Sequence, residues 1–417
     1  MDGATYAAVA RNLATDAGSM WDLFYTPNLY PHFVEHPPLH LWLQSLVFIV
    51  LGDHWWIEDA FGLVMWIVTA WGLDRLGEKM GLSPFQILAA MLMWTLIPVI
   101  YWGYSNNLLE TSLSAWMVWS TYFTVVGIRS QKLFPLVIAG IFISAGVLTK
   151  GPVALFPLAV PFIWFIVDLT KPSWKWVHPT LIVFLGFAAP LIALFWLRDA
   201  QDYFIRYWNK QILQSLDHVQ TVNNRWYLPF QFVLQLGIPI GLVVVSQFRK
   251  GSQKITFPTL SKPSLVLWAI ALSAVFPMMI SLKQRDFYLI PAMGFAALAL
   301  ATMIKDSRMK HILAVRRYYS CILLLCLGTG LIARFIPAVT RSERATLMNS
   351  IQEISKSRKG QTFYVAPELL KNWNLIAQCA RFGPIYIKPK PLGKKLEGPE
   401  LIYTNGRVYL KTNDESP

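Results

Sequence analysis

Eight ionisable residues stand at the edges of long apolar segments, where charged side chains are costly to keep in a membrane. They are Asp2, Glu35, His36, Glu110, Lys150, His218, Lys283 and Arg285. The carboxylates of this set suit removal of a proton from a hydroxyl group, and the cations suit binding of an anion such as phosphate. The pattern therefore predicts chemistry on an anionic substrate at one membrane surface.

The composition is that of a polytopic membrane protein. Of the 417 residues, 55% are hydrophobic and only 14% are charged, whereas soluble domains are usually about a quarter charged. The 18 Trp and 16 Tyr are typical of aromatic belts at membrane interfaces. The basic residues behind the net charge of +14 lie mostly in short loops between apolar segments, so we do not expect nucleic-acid binding.

The apolar segments predict an all-α polytopic membrane protein with about ten transmembrane helices. Apolar helices at 3–17 and 38–51 are too short to cross and are expected to lie at the interface on the outer face. The polar end of the chain predicts a small α/β domain with the order strand, helix, strand, strand. These segments divide the chain into 1–57 (outer-face segment), 58–337 (transmembrane domain) and 338–417 (α/β domain). The predicted spans are 58–74, 85–104, 108–128, 133–149, 151–168, 180–198, 229–247, 265–282, 287–304 and 319–337.

The loops on alternate sides of these spans differ in positive charge. One set, which includes Arg129 and Lys262, is much richer in Lys and Arg than the other. Because cytoplasmic loops carry the excess of positive charge, we expect the richer set in the cytoplasm. Residues 1–57, Glu110, Lys150 and the 199–228 and Lys283–Arg285 loops are then predicted to share the outer face.

Each candidate acid also has a plain structural explanation. Asp2 is either a helix N-cap or a general base, and spacing alone favours the cap. Glu35 and His36 precede Pro37. Glu35 is a candidate proton acceptor or metal ligand, His36 is a candidate donor to a phosphate, and a solvated loop tip explains both equally well. Glu110 is either favoured by the helix macrodipole at the start of a span or placed there for chemistry.

The candidate cations lie in what the sequence predicts to be tight turns. Lys150 either snorkels to the interface or binds a phosphate. Arg285 and Lys283 are candidate phosphate ligands with Tyr288 beside them, although Asp286 could neutralise one of them. The 199–228 loop is either a sugar-binding surface or an ordinary amphipathic loop, and its His218 is a weak candidate metal ligand.

Five motifs, in this order, resemble those of the GT-C membrane glycosyltransferases. The similarity is to the bacterial branch that includes the aminoarabinose lipid A transferase and the protein O-mannosyltransferases, and it spans roughly residues 2–300. A set of five in the right order is fairly specific, although none is decisive alone. The motifs are DGATYAAVARNL, EHPPLHLWL, NNLLETSL, LTKGPVALFPL and KQRDFYLIPAMGFAALALA.

The resemblance implies roles for several residues. Asp2 falls on the family's catalytic acid and Glu110 on its second acidic position, with Glu35 as a further candidate. Glu35 and His218 resemble positions near a bound metal in some members, so a divalent metal is a candidate cofactor, and the sequence does not decide whether one is needed. The residues expected to bind the donor phosphate are Tyr6, His36, Lys150, Lys283, Arg285 and Tyr288.

The chain also departs from the family pattern. Gly3 replaces a usual acidic residue, Thr5 replaces a residue that is often basic, and His36 replaces a lysine. The charge of a donor phosphate is therefore expected to be met differently here. The family has a membrane span before its first Asp, so we expect a preceding span that this sequence does not include.

The expected function is inverting transfer of a sugar from a polyprenyl-phosphate donor to a hydroxyl group of a lipid, glycan or protein. The expected location is the outer face of a bacterial inner membrane. The alternative is a transporter or flippase of an anionic glycolipid, since the same cations would bind its headgroup. Transporters often carry inverted repeats and charges at mid-membrane. Neither feature is evident in the sequence, so glycosyl transfer is favoured.

Overall fold

The computed structural model describes residues 2–167, 174–213, 220–247, 260–304, 342–391 and 398–411. Within these ranges the chain is mostly helical, as expected, with three small two-stranded sheets. The helices are α1 (Asp2–Ala14), α2 (Leu39–Leu51), α3 (Ile57–Met80), α4 (Pro84–Leu96), α5 (Pro98–Ser105), α6 (Leu109–Ser130), α7 (Leu133–Lys150), α8 (Val160–Val167), α9 (Val177–Leu194), α10 (Arg198–Tyr207), α11 (Tyr227–Gln235), α12 (Gly237–Gln247), α13 (Lys262–Val275), α14 (Ile290–Ala301), α15 (Ser342–Arg358) and α16 (Trp373–Phe382). The strands are β1 (Gly18–Ser19), β2 (Asp22–Leu23), β3 (Thr362–Val365), β4 (Tyr386–Pro389), β5 (Leu401–Thr404) and β6 (Arg407–Leu410).

The chain forms two compact units. The first unit combines the N-terminal segments with the C-terminal region, which the sequence assigns to separate parts of the protein. The second unit contains most of the apolar helices. The first unit comprises Met1–Phe33, Leu41–Glu58 and the described part of Arg317–Pro417, and the second comprises Val34–His40 and Asp59–Arg316.

In the second unit, α6 and α7 are antiparallel neighbours. Only Gln131 and Lys132 connect them, and Gln131 adopts the left-handed conformation (φ 54°) that commonly ends a helix. The indole of Trp116 on α6 donates to the Thr149 hydroxyl on α7 over 3.1 Å. The start of α6 and the end of α7 therefore lie side by side.

Helices α7 and α9 approach closely at two glycines. A Cβ on Gly140 would collide with the backbone of α9, and one on Gly186 would collide with the backbone of α7 at Val137. The Ser144 hydroxyl on α7 donates to the Phe187 carbonyl on α9 over 2.7 Å. Small residues and a side-chain hydrogen bond are the means by which membrane helices commonly pack.

Helix α7 ends at Lys150, and a 3-10 helix, Gly151–Ala159, leads from it into α8, so helical assignment is continuous over Leu133–Val167. Gly151 nevertheless leaves helical geometry (φ 76°, ψ −147°), and Leu155 and Leu158 pack back against the α7 cluster that contains Ile143. The Arg129 guanidinium, just before α7, faces the Trp164 ring on α8. The chain therefore reverses after Lys150, in agreement with the predicted tight turn.

Three helical segments are long and apolar enough to cross a membrane among the residues that the structure describes. Two bent pairs, α4 with α5 (67°) and α11 with α12 (44°), raise that number to five if each pair is one span. The predicted number of about ten spans remains a prediction, and the predicted span 319–337 lies outside the described residues. Helix α2 is apolar but only 13 residues long. The three segments are Leu133–Val167, Val177–Leu194 and Lys262–Ile280.

In the first unit, α1 is buried along most of its length and packs against α16. The predicted order of strand, helix and strand agrees with β3, α16 and β4, and β3 pairs with β4 in parallel. The last predicted strand is instead the hairpin β5–β6. Asn405 and Gly406 both have positive φ at its turn, as a two-residue hairpin requires.

A buried guanidinium ties this unit together. Arg381 on α16 is almost completely buried. Its Nε lies 2.5 Å from a Glu58 carboxylate oxygen, its Nη1 lies 2.6 Å from an Asp53 carboxylate oxygen, and its Nη2 donates to the His54 carbonyl over 2.7 Å. The guanidinium also faces the ring of Phe48 at 4.8 Å. The segment 53–58 and the C-terminal region are thereby joined by charge-assisted hydrogen bonds.

Candidate active site

An ion pair between Glu110 and Lys150 forms the centre of the candidate site in the second unit. Glu110 lies in the first turn of α6 and Lys150 is the last residue of α7. The helix macrodipole favours an acidic residue in the first turn of a helix and a basic residue in the last turn. Since the two helices are antiparallel neighbours, these two ends meet. The Glu110 side chain is 3% exposed and that of Lys150 is 12% exposed, so the pair is largely shielded from solvent.

Two aromatic rings face the Lys150 ammonium. Its Nζ lies 4.3 Å from the centroid of the Tyr288 ring and 5.7 Å from that of Phe287. Both rings belong to a short 3-10 helix, Asp286–Leu289, which leads into the buried helix α14. A cation over an aromatic face is stabilised electrostatically, more so where solvent is excluded. Lys150 is therefore held between a carboxylate and an aromatic surface.

His36 lies in the same electrostatic environment and is half-buried. Burial, together with the smaller effects of the positive charges of Lys150 and Lys283, lowers the pKa of its imidazole to about 3. The ring is therefore neutral at pH 7 and retains one N–H donor. The hydroxyl of the buried Tyr203 fixes this segment by donating to the His36 carbonyl over 2.6 Å.

Tyr203 belongs to a helix that the sequence interpretation missed. Residues 199–228 were expected to form a loop, but α10 covers Arg198–Tyr207. Its buried side chains Ala200, Tyr203 and Tyr207 have helical spacing, i, i+3 and i+7. The spacing was therefore present in the sequence and could have been used.

Gly151 directly follows Lys150 and cannot easily be replaced. Its φ is +76°, a conformation that favours glycine. A Cβ at this position would also collide with the Tyr207 hydroxyl. The close approach of α10 to the end of α7 therefore depends on the absence of a side chain.

The turn that carries Lys283 is anchored by Gln284, a residue that the motifs did not single out. The Gln284 side chain is almost fully buried. Its amide donates to the Ser281 carbonyl over 2.9 Å, and its oxygen accepts from the Leu228 backbone N–H over 3.2 Å. Its own backbone N–H donates to the Thr221 hydroxyl over 2.8 Å. These bonds fix the turn between Lys283 and Arg285.

The comparisons with known proteins agree on one fold. Residues 35–196 match the family described as dolichyl-phosphate-mannose-protein mannosyltransferase. The crystal structure of ArnT from Cupriavidus metallidurans bound to undecaprenyl phosphate is 15% identical, with a TM-score of 0.55, over 91% of this chain and 70% of that chain. The crystal structure of the same protein in the apo state is 14% identical, with a TM-score of 0.56, over 91% of this chain and 69% of that chain.

The resemblance to GT-C membrane glycosyltransferases is confirmed. A third structure, arabinosyltransferase EmbB from Mycobacterium smegmatis, is 15% identical over 85% of this chain and 30% of that chain, with a TM-score of 0.44. No curated protein sequence matches the chain. The two ArnT matches show that the chain shares a fold with a membrane glycosyltransferase, and they assign it neither a donor nor an acceptor.

The structure brings together several of the residues that the GT-C motifs contribute. Glu110 and Lys150 pair directly, Tyr288 faces Lys150, and the charges of Lys150 and Lys283 act on His36. Glu35, next to His36, is half-buried. Their roles in chemistry remain predictions.

The remaining candidate residues from the sequence are placed as follows. Asp2 and Tyr6 lie on α1 in the first unit, Asp2 half-buried in the first turn and Tyr6 buried. Arg285 is exposed, and its carbonyl accepts the Tyr288 backbone N–H over 3.1 Å. His218 lies outside the described residues. Among the residues that are described, no three His, Cys, Asp or Glu side chains cluster as a metal site would require.

Proposed function

We propose that the protein is an inverting glycosyltransferase that moves a sugar from a polyprenyl-phosphate donor to a hydroxyl group at the outer face of the membrane. The observation that carries the proposal is the shielded Lys150, held by Glu110 and faced by Tyr288, with His36 and Lys283 acting nearby. An anion-binding group and a carboxylate then lie side by side, as this reaction requires. The fold match to ArnT bound to undecaprenyl phosphate supports a donor of this class.

Lys150 and Lys283 would bind the donor phosphate. Both are ammonium groups, which bind phosphate as point charges, and Lys150 is shielded enough for its charge to act strongly. Neutral His36 would donate its N–H to a phosphate oxygen instead of adding a third positive charge. A histidine therefore stands where the family has lysine, and hydrogen bonding would replace charge at that position. The exposed Arg285 and the Tyr6 and Tyr288 hydroxyls are further predicted phosphate ligands.

The donor phosphate would compete with Glu110 for Lys150. The donor phosphate is a diester with one negative charge, and further negative charge develops on it as its bond to the sugar breaks, so its attraction to Lys150 grows during the reaction. As Lys150 turns towards the phosphate, Glu110 would lose its partner and become a stronger proton acceptor. The carboxylate would thereby be activated only when the donor is in place.

The transfer itself needs one bond to form and one to break. The acceptor oxygen bonds to C1 of the sugar as the bond between C1 and the phosphate oxygen breaks, and the configuration at C1 inverts. The bonding pair leaves with the polyprenyl phosphate, whose developing charge Lys150 and Lys283 would stabilise. The hydroxyl proton goes to a carboxylate. The resemblance assigns this role first to Asp2, with Glu110 or Glu35 as the second carboxylate.

The lipid chain of the donor would lie against the apolar helices of the second unit. The positive-inside pattern of the loops supports an active site on the outer face. None of these steps is routed through a metal ion at the predicted positions Glu35 and His218.

The decisive experiment uses the full-length protein in liposomes with a panel of labelled polyprenyl-phosphate sugars. Envelope lipids, glycans and peptides serve as acceptors, and release of polyprenyl phosphate is the common readout. Release together with a glycosylated product of inverted anomeric configuration supports the proposal. Movement of a labelled anionic glycolipid across the bilayer without any product would establish the flippase alternative and reject the transferase.

A further inference from the structure

We infer that His40 and Ser112, to which the sequence assigns no role, position His36 for the donor phosphate, an inference that rests on the function proposed above. The His40 Nδ1 and the Ser112 Oγ lie 2.9 Å apart, and both side chains are fully buried. His40 is the second residue of α2, and Ser112 lies on α6 two residues after Glu110. The hydrogen bond therefore joins the segment that carries His36 to the helix turn that carries the candidate carboxylate.

The short segment between His36 and His40 is stiff enough to transmit this anchor. It contains Pro37 and Pro38, and a proline fixes its own φ and confines the residue before it to extended conformations. Residues Val34–His40 belong to the second unit, whereas the residues on either side of them belong to the first. Holding His40 in place therefore restricts where the backbone of His36 can lie in the second unit.

The segment is held at both of its ends. The His40 ring packs edge-on against the buried Phe61 on α3, with the ring centroids 5.0 Å apart. Burial lowers the pKa of His40 to about 3, so its imidazole is neutral at pH 7 and adds no positive charge beside His36. At the other end, the Tyr203 hydroxyl donates to the His36 carbonyl over 2.6 Å. His36 is thereby fixed relative to α6 on one side and α10 on the other.

A neutral imidazole depends on such an anchor more than an ammonium group would. The His36 ring offers a phosphate one directional N–H, whereas an ammonium is a point charge on a flexible stem. A hydrogen bond weakens steeply once its angle falls below about 120°. A small displacement of the His36 backbone would therefore cost the contact with the phosphate, because the short side chain has little reach to compensate.

The plain structural explanation is that the bond only pairs two buried polar groups, as folded proteins generally do. The two explanations differ in their dependence on His36. A bond that positions His36 affects donor binding only while the His36 side chain is present, whereas a bond that serves packing alone has the same effect with or without it. A double-mutant cycle between Ser112 and His36 measures this difference directly.

The cycle uses the full-length protein in detergent, with calorimetry of undecaprenyl phosphate as the readout. His36→Ala should weaken binding at least about tenfold, the usual cost of losing a hydrogen bond to a charged group, and Ser112→Ala should weaken it about three- to tenfold. In the His36→Ala background, Ser112→Ala should change the affinity by less than about twofold. Ser112→Thr keeps the hydroxyl and should restore the parent affinity.

The control is Ser120→Ala on the same helix. The Ser120 hydroxyl is equally buried, and it has no hydrogen-bond partner within the described part of the chain. The variant should bind undecaprenyl phosphate as the parent does. If Ser112→Ala does not fold, His40→Leu removes the same hydrogen bond from its other side, and it should likewise weaken binding only while His36 is present.

The outcomes separate the inference from the proposed function. An equal loss of affinity with and without the His36 side chain, or an unchanged affinity of folded Ser112→Ala, would overturn the inference and leave the proposed function standing. Absence of undecaprenyl phosphate binding by the parent would instead reject the proposed donor, and the inference with it.

Discussion

Two buried cations, one in each unit, are held in different ways. Arg381 in the first unit directs all three of its guanidinium nitrogens to fixed acceptors on the segment 53–58. Lys150 in the second unit pairs with the carboxylate of Glu110 and faces the ring of Tyr288. Burial alone would lower the pKa of Arg381, but Glu58 and Asp53 outweigh it, so its pKa is raised above the ordinary value.

The difference separates a structural cation from one suited to binding a ligand. A planar guanidinium whose nitrogens all donate to fixed oxygen atoms cannot exchange partners without breaking several hydrogen bonds. An ammonium is a point charge that can turn from one anion to another. In the proposed mechanism a phosphate competes with the carboxylate neighbour for this charge, whereas the aromatic neighbour carries no net charge. We therefore expect Arg381 to determine stability and Lys150 to determine activity.

The largest expected effect is on stability. Arg381→Met should lower the free energy of unfolding by about 3–5 kcal/mol, because it leaves Glu58 and Asp53 without their buried partner. Chemical unfolding of the detergent-solubilised protein measures this loss, and Arg381→Lys should recover part of it. The KM for donor of the fraction that remains folded should not change. A loss below about 1 kcal/mol would show that the cluster is not structural.

The next effect is on turnover. Lys150→Met should lower kcat about 10²–10³-fold, the usual cost of removing a group that stabilises developing negative charge. Release of polyprenyl phosphate is the assay. The control is Lys390→Met, since Lys390 pairs with Glu400 at 3.2 Å in a partly exposed ion pair of the first unit. An equal loss of kcat in Lys150→Met and Lys390→Met would contradict a special role of Lys150 in the reaction.

The neutral state of His36 gives a smaller effect that depends on pH. Its pKa is about 3 in the folded protein and about 6.5 when unfolded. Between these values the unfolded chain binds a proton that the folded chain does not, so stability falls as pH falls below 6.5. From pH 7 to pH 5 the loss is roughly 2 kcal/mol for this group. His36→Gln should reduce the loss by about that amount in unfolding measurements at the two pH values. An identical pH dependence in parent and variant would contradict a neutral His36.

Local sequence patterns predicted part of the site, and long-range pairing accounts for the rest. Glu110 and Lys150 could be singled out because each is an ionisable residue at the end of an apolar helix. Their direct pairing depends on the two-residue connection between α6 and α7, which places both helix ends together. Gln284 was missed because an uncharged residue between Lys283 and Arg285 carries no signal until its partners are known.

The first unit contains one feature that no local sequence pattern indicates and one that a local pattern does indicate. Arg381 and Glu58 are 323 residues apart in sequence, so nothing local indicates that they pair. The β5–β6 hairpin, in contrast, was indicated by Asn405-Gly406, a dipeptide typical of two-residue turns. The residues on both sides of this turn are rich in β-forming types, so their pattern alone predicts one strand instead of two.

The most direct test of the account is the affinity for undecaprenyl phosphate of the parent, Lys150→Met and Glu110→Gln, measured by calorimetry in detergent. If Glu110 holds Lys150 until a phosphate displaces it, Glu110→Gln should bind about tenfold more tightly, because the competing carboxylate is gone. Lys150→Met should bind at least tenfold more weakly. The control Glu78→Gln, which removes an exposed carboxylate paired with Arg75, should bind as the parent does. Unchanged or weaker binding by Glu110→Gln would contradict the claim that a lipid-linked phosphate and the carboxylate compete for the same cation.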